Sequence, residues 1–120
     1  MWKVFRTVLS VVLFQHAIIG VCRDLRGVAS ATHNRRTYSA LFDFLYPASF
    51  PALIRAAEIW FDEPAVTTAL LKFMEEFVYN KAQRVMFDQS SPNGILLFRE
   101  TSAIIVAYGS RILSHNPVFV

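Results

Sequence analysis

The sequence predicts an all-α fold of about five helices, and three observations predict it. Apolar residues recur at i, i+3, i+4 and i+7 in segment after segment. Proline opens three of those segments, as Pro51, Pro64 and Pro92, in the first turn where its missing N–H costs nothing. No stretch alternates apolar and polar residues in the way a half-buried strand requires.

The chain has 120 residues, which bounds it to one domain. Hydrophobic residues make up 54% and charged residues only 18%, with eleven Phe, four Tyr and two Trp. Helices of that composition bury more than one side. Net charge is +3, but the basic residues are scattered, and the only local concentration, Arg23 to Arg36, contains Asp24. A nucleic-acid footprint needs a clustered basic face, so none is expected and the charges read as solvated surface. Cys22 is the single cysteine, which excludes an intrachain disulfide and points to a reducing compartment.

The first segment admits three readings. Met1 to Arg6 is basic and amphipathic, and Thr7 to Cys22 is apolar apart from Ser10, Gln15 and His16. A signal peptide has this shape, but Ala29-Ser30-Ala31 follows the charged Arg23-Asp24-Leu25-Arg26. A membrane span needs about 20 apolar residues, and this run is shorter. A buried helix suits Trp2, Phe5, Leu9, Val12 and His16, which recur at helical spacing. The buried helix is preferred, with a membrane-anchored or secreted small helical protein as the alternative. His16 then reads as a core or groove histidine, and Gly27 as the helix stop.

The second helix carries Tyr38, Leu41, Phe42, Leu45 and Tyr46 on one face and ends at Pro47. A third opens at Ser49-Phe50-Pro51, with Leu53, Ala57, Trp60 and Phe61 facing inward. Its outer residues Arg55, Glu58 and Asp62 are spaced for ion pairs. Asp62 reads as the N-cap of the fourth, which buries Val66, Leu70, Phe73, Met74, Phe77 and Val78 and exposes Thr67, Lys72, Glu75 and Glu76. Residues 80–88 form a connector. Ser91 caps the fifth helix, with Pro92 at its first position. Asn93-Gly94 is also a hairpin-turn signal, but Ile95-Leu96-Leu97-Phe98 does not alternate, so the helix prevails. That helix continues to Leu113 with Gly109 as a weak point, and His115-Asn116-Pro117 ends it before the apolar tail Val118-Phe119-Val120.

No constellation for catalysis is present. Glu75 and Glu76 are adjacent and point about 100° apart on a helix, so they do not converge on one bond. His16, His33 and His115 stand far apart, with no metal-ligand spacing. Ser90 and Ser91 read as caps, not nucleophiles. The chain is therefore expected to be no enzyme, with no catalytic, cofactor-binding or metal-binding residue and no cofactor.

Short loops predict antiparallel neighbours, arranged as a closed bundle or as stacked hairpins. Pro51 and Pro92 stand 41 positions apart, one period of a HEAT-type repeat. Specific runs then narrow the choice. Arg23-Asp24-Leu25-Arg26-Gly27, Leu41 to Pro47, Ala56 to Trp60, Thr67-Thr68 with Leu70-Leu71-Lys72, and Asn80 with Gln83-Arg84 and Phe87-Asp88 resemble one internal segment of the exportin-7 family. Ser90 to Ser102 is the most distinctive match, and Tyr108-Gly109 with Arg111-Ile112-Leu113 continues it. The resemblance covers residues 22–113; residues 1–21 match poorly. It implies an importin-β-superfamily nuclear transport receptor, built as a HEAT-like α-solenoid in which residues 22–120 form one repeat segment. Expected partners of the whole receptor are Ran-GTP, cargo proteins and nucleoporins, in cytoplasm, nucleus and nuclear pore complex. The family's Ran-binding region is N-terminal and has no counterpart here, so no residue of this chain inherits a Ran contact and this segment is not expected to bind Ran. Neither nucleic acid nor membrane is an expected partner. The chain then reads as a fragment, truncated isoform or partial gene model that acts as scaffold. With fewer than the three or so repeats a solenoid needs, its stability alone would be marginal.

Overall fold

A computed structural model describes residues 1–115, and among these it shows five α-helices and one 3₁₀ turn. They are α1 (Trp2–Ala31), α2 (Arg35–Leu45), α3 (Ser49–Ile59), α4 (Pro64–Val78) and α5 (Asn93–His115), with the 3₁₀ turn at Lys81–Gln83. The expected end of α5 at Asn116-Pro117 and the tail Val118-Phe119-Val120 lie outside the described residues.

The starts of the helices follow local chemistry. The Asn34 carboxamide accepts the Thr37 N–H at 2.9 Å and caps α2. Pro51 lies in the first turn of α3, and Pro64 is the first residue of α4. Glu63, not Asp62, occupies the N-cap of α4, and its side chain makes no capping bond. Proline at the first helical position fixes the cap one residue before it. At α5 the expected start is one residue early: the helix begins at Asn93 and the Pro92 carbonyl receives the Leu96 N–H, so Pro92 holds the cap position, while the Ser91 hydroxyl just before it accepts the Asn93 N–H at 3.2 Å.

Gly27 does not stop α1. The helix runs on to Ala31, where Thr32 turns into extended backbone and returns its hydroxyl to the Val28 carbonyl at 2.8 Å. A glycine inside a helix costs about 1 kcal/mol relative to alanine, which packing of the last two turns outweighs. Gly109 likewise lies inside α5. Trp60 and Phe61 fall beyond the end of α3, so Asp62 is off that helix and only Arg55 and Glu58 pair, at 3.4 Å.

Packing is by alternate helices. α1 lies along α4, and α3 lies between α4 and α5. Arg23 and Arg26 of α1 flank Pro64 to Lys72 at the start of α4, while the end of α1 meets the end of α4 at Arg84. The two helices therefore run in the same direction. So do α3 and α5: Tyr46 before α3 meets Arg99 early in α5, Ile54 and Glu58 share a groove with Ala103 to Ser114, and the Phe61 ring after α3 lies tilted against His115 with centroids 4.9 Å apart. The short Trp60–Glu63 link makes α3 and α4 antiparallel. The molecule measures 54 × 36 × 21 Å, and 21 Å is about two helix diameters. Two layers with same-direction neighbours in each are what stacked helical hairpins produce. The 41-residue spacing of Pro51 and Pro92 is the step from α3 to α5.

The core gathers Tyr38, Phe42, Leu45, Phe50, Leu70, Phe73 and Phe77, all at most 1% exposed. Phe77 stacks on Tyr38 at 5.1 Å and on Phe73 at 5.5 Å, and Phe42 meets Phe87 edge-on at 5.4 Å. α4 packs on α1 and α3 at once, so its buried arc is wider than one stripe. Thr67, expected outside, is buried with its hydroxyl bonded to the Glu63 carbonyl, and Val78, expected inside, is 37% exposed.

The buried reading of the N-terminal segment fails. The helix forms, but Trp2 to Phe14 stand exposed, Trp2 at 68% and Phe14 at 65%. His16 is exposed as well, not in a core or groove. Only from Ile18 onward does α1 join the core, with Cys22 and Ala29 fully buried. The reason is length: α1 has 30 residues and α4, which it lies along, has 15.

Candidate functional site

The most constrained point of the molecule is Arg84, in the connector after α4. A basic residue in a polar linker reads as surface, yet Arg84 is 0% exposed. Its guanidinium donates to the carbonyls of Ala29 and Thr32 at the end of α1, and to those of Glu76 and Tyr79 at the end of α4. The Thr32 contact is 2.8 Å and the Tyr79 contact 3.0 Å. It also lies over the Tyr38 ring, 5.3 Å from the centroid.

The chemistry of this junction is that of helix ends. The last carbonyls of a helix have no partner within it and carry partial negative charge. Two same-direction helices bring two such ends together, and a single fork of five donors satisfies both. The Tyr38 hydroxyl donates to the Phe77 carbonyl at 2.7 Å in the same place. Lys81 donates to the Ser30 carbonyl and pairs with Glu76 at 3.0 Å. Glu76 is therefore half-buried and engaged, not a freely solvated side chain, whereas Glu75 is exposed. To place Lys81 and Arg84, the backbone turns through positive φ at Ala82 and Gln83, 54° and 55°. This is a structural lock with no open face for a substrate.

Burial shapes two weak acids of the core, of which Tyr38 lies beside Arg84. Desolvation pushes the Cys22 thiol up from 9.0 to about 11 and holds the Tyr38 phenol well above its ordinary value, with Arg84 opposing the second shift. A folded-state pKa raised above the unfolded value gives stability that is complete below the unfolded pKa and is lost as pH rises through the folded one. Stability is therefore expected to fall between about pH 9 and pH 11. A urea-denaturation series across that range checks this, and Cys22→Ala should flatten the first part of the slope.

The Ser90–Ser102 run has a structural geometry too. The Asp88 carboxylate accepts the Ser90 N–H at 3.3 Å, and the Asn93 amide reaches Asp43 at 3.3 Å. Arg99 donates to Glu100 at 2.9 Å and to the Tyr46 hydroxyl at 3.0 Å, contacts that hold its guanidinium above the usual range. The run thus fastens the start of α5 to α2 and to the turn before α3. Beyond it, α5 turns Leu97 and Ile104 inward and leaves Ile95, Phe98, Ile105 and Leu113 exposed along one flank. Among the described residues no three His, Cys, Asp or Glu gather to hold a metal ion. His33 and His115 are both exposed.

A two-layer stack of hairpins, locked at helix ends and with an apolar flank on its last helix, defines a segment of an α-helical repeat protein. Comparison with known proteins makes this particular. The chain is 54% identical over 100 residues to exportin-7-B of Xenopus laevis, covering 83% of this chain and 9% of that protein. It is 55% identical over 97 residues to Ran-binding protein 17 of Mus musculus, 81% of this chain and 9% of the relative. Exportin-7 of Dictyostelium discoideum is 44% identical over 99 residues, 82% of this chain and 10% of its own length. The matched part of the chain belongs to the exportin-7 family. The chain spans only about a tenth of the length of these relatives. No family model matches it, and no solved structure does.

Proposed function

We propose that this chain supplies one layer of the helical scaffold of a nuclear export receptor of the exportin-7 type. The supporting observation is identity of 44–55% over four-fifths of the chain to proteins named exportin-7 and Ran-binding protein 17, in a segment that folds as stacked hairpins. In this reading α1 from about residue 18, with α2 to α5, sits between neighbouring repeats, and the apolar flank of α5 is covered by the next layer. The whole receptor exports cargo in a Ran-GTP-dependent manner through nuclear pores, moves between nucleus and cytoplasm, and meets nucleoporins there. The segment itself contributes shape and rigidity, not a Ran contact and not catalysis.

A chimaera tests this. Residues 18–115 replace the matching segment of Xenopus exportin-7-B, and retention of the receptor by Ran-GTP and by cargo is measured. The expected result is a soluble receptor that binds both within about threefold of the parent, the scale of half a kcal/mol expected for a conserved scaffold. A chimaera that aggregates, or that folds and loses both partners, would overturn the scaffold reading. The isolated chain should show no retention on Ran-GTP.

A further inference from the structure

We infer that the free N-terminal half of α1, Trp2 to Ala17, is an interfacial membrane helix for anionic lipid surfaces. This goes beyond the transport reading and concerns residues outside the chimaera above. α1 is long and apolar enough to cross a bilayer by length and composition, and none of that stretch is buried. From Trp2 to Val12 its polar residues are not scattered, whereas Gln15 and His16 further along fall outside their strip. Lys3, Arg6, Thr7 and Ser10 recur at i, i+3, i+4 and i+7, so they share one narrow strip. The strip faces Ile59 and Trp60 of the helical body across an open groove. The opposite, wider arc carries Trp2, Phe5, Val8, Leu9 and Val12, each 40–68% exposed, and it points away from the body.

Three features choose lipid as the occupant. With Val4, Val11 and Leu13 beside it the arc spans about 200° at 100° per residue, wider than the stripe one partner helix covers, while a bilayer takes all of it. The strip is cationic, and no acidic residue precedes Asp24. Lys3 and Arg6 at the strip, with Trp2 at the end, suit anionic headgroups and the aromatic level of the interface. The free stretch is about 24 Å long at 1.5 Å per residue, short of the roughly 30 Å hydrocarbon core, so it lies in the plane of one leaflet. The body then rests on the headgroup side, where the polar strip already faces.

The test uses the full chain with Trp60→Phe, which leaves Trp2 as the only tryptophan. It is mixed with vesicles of phosphatidylcholine alone or with one-third phosphatidylserine. Expected are co-sedimentation with the anionic vesicles, a blue shift of Trp2, and quenching by lipids brominated near the headgroup. Binding to neutral vesicles should be at least about tenfold weaker, from the lost attraction of the cationic strip. Val8→Glu with Val12→Glu should weaken anionic binding at least about tenfold while far-ultraviolet circular dichroism stays the same. Absence of vesicle binding overturns the proposal, and so does binding unchanged by the double substitution. Self-association without vesicle binding, removed by that substitution, assigns the arc to a second copy and overturns it equally.

Discussion

Replacing Arg84 by methionine should destabilise the fold by about 3–5 kcal/mol, the range for removing one side of a fully buried, hydrogen-bonded charged group. Methionine fills much of the volume but donates nothing. The carbonyls of Ala29, Thr32, Glu76 and Tyr79 would then face one another across a closed junction. Each unpaired buried acceptor costs about 1–3 kcal/mol, and some of these keep a second bond, so the sum falls short of four full penalties. Arg84→Lys should recover less than half of the loss, because one ammonium cannot span two helix ends that a planar fork bridges. Urea denaturation followed by circular dichroism measures both variants. A loss under 1 kcal/mol in Arg84→Met would show that the two helix ends hold together without the clamp.

The same residue shows where sequence reasoning stops. Helix existence was legible because period, prolines and the Ser91 hydroxyl are local. The buried faces of α2 and α3 were legible for the same reason, through Tyr38, Phe42 and Leu53. Arg84 had no local signal. Two of its partners, Ala29 and Thr32, stand 55 and 52 positions away, and its linker setting imitates a surface. Glu63 was displaced to Asp62 because acid at a helix start fits either position, and only the proline rule separates them. Thr67 and Val78 were reversed because α4 touches two helices, which no single stripe describes. Helical spacing of Trp2, Phe5, Leu9, Val12 and His16 points to a buried N-terminal half of α1, but spacing says nothing of what lies opposite. Burial needs a neighbour of matching length, and α4 is half as long. The exportin-7 resemblance survived all of these errors, since it rests on residue identities and not on exposure.

Phe77→Ala should cost about 3–5 kcal/mol, the range for truncating a fully buried phenylalanine. Phe77 has 0% exposure, and its ring stacks on Tyr38 and Phe73 and meets Phe50 at 6.3 Å. It is thus where α2, α3 and α4 share one contact. Truncation removes the aromatic pairs as well as the buried area, and the rings around it are too large to close the space. Phe77→Leu keeps most of the volume and should cost about 1–1.5 kcal/mol. Phe44→Ala supplies the contrast: Phe44 is on α2 but 76% exposed, so its loss should stay within about 0.5 kcal/mol. Denaturation midpoints of the three variants, at equal slope, give the order. If Phe77→Ala and Phe44→Ala proved equal, the aromatic cluster would not be what joins the hairpins. Arg84 would then carry that role alone, through the helix ends.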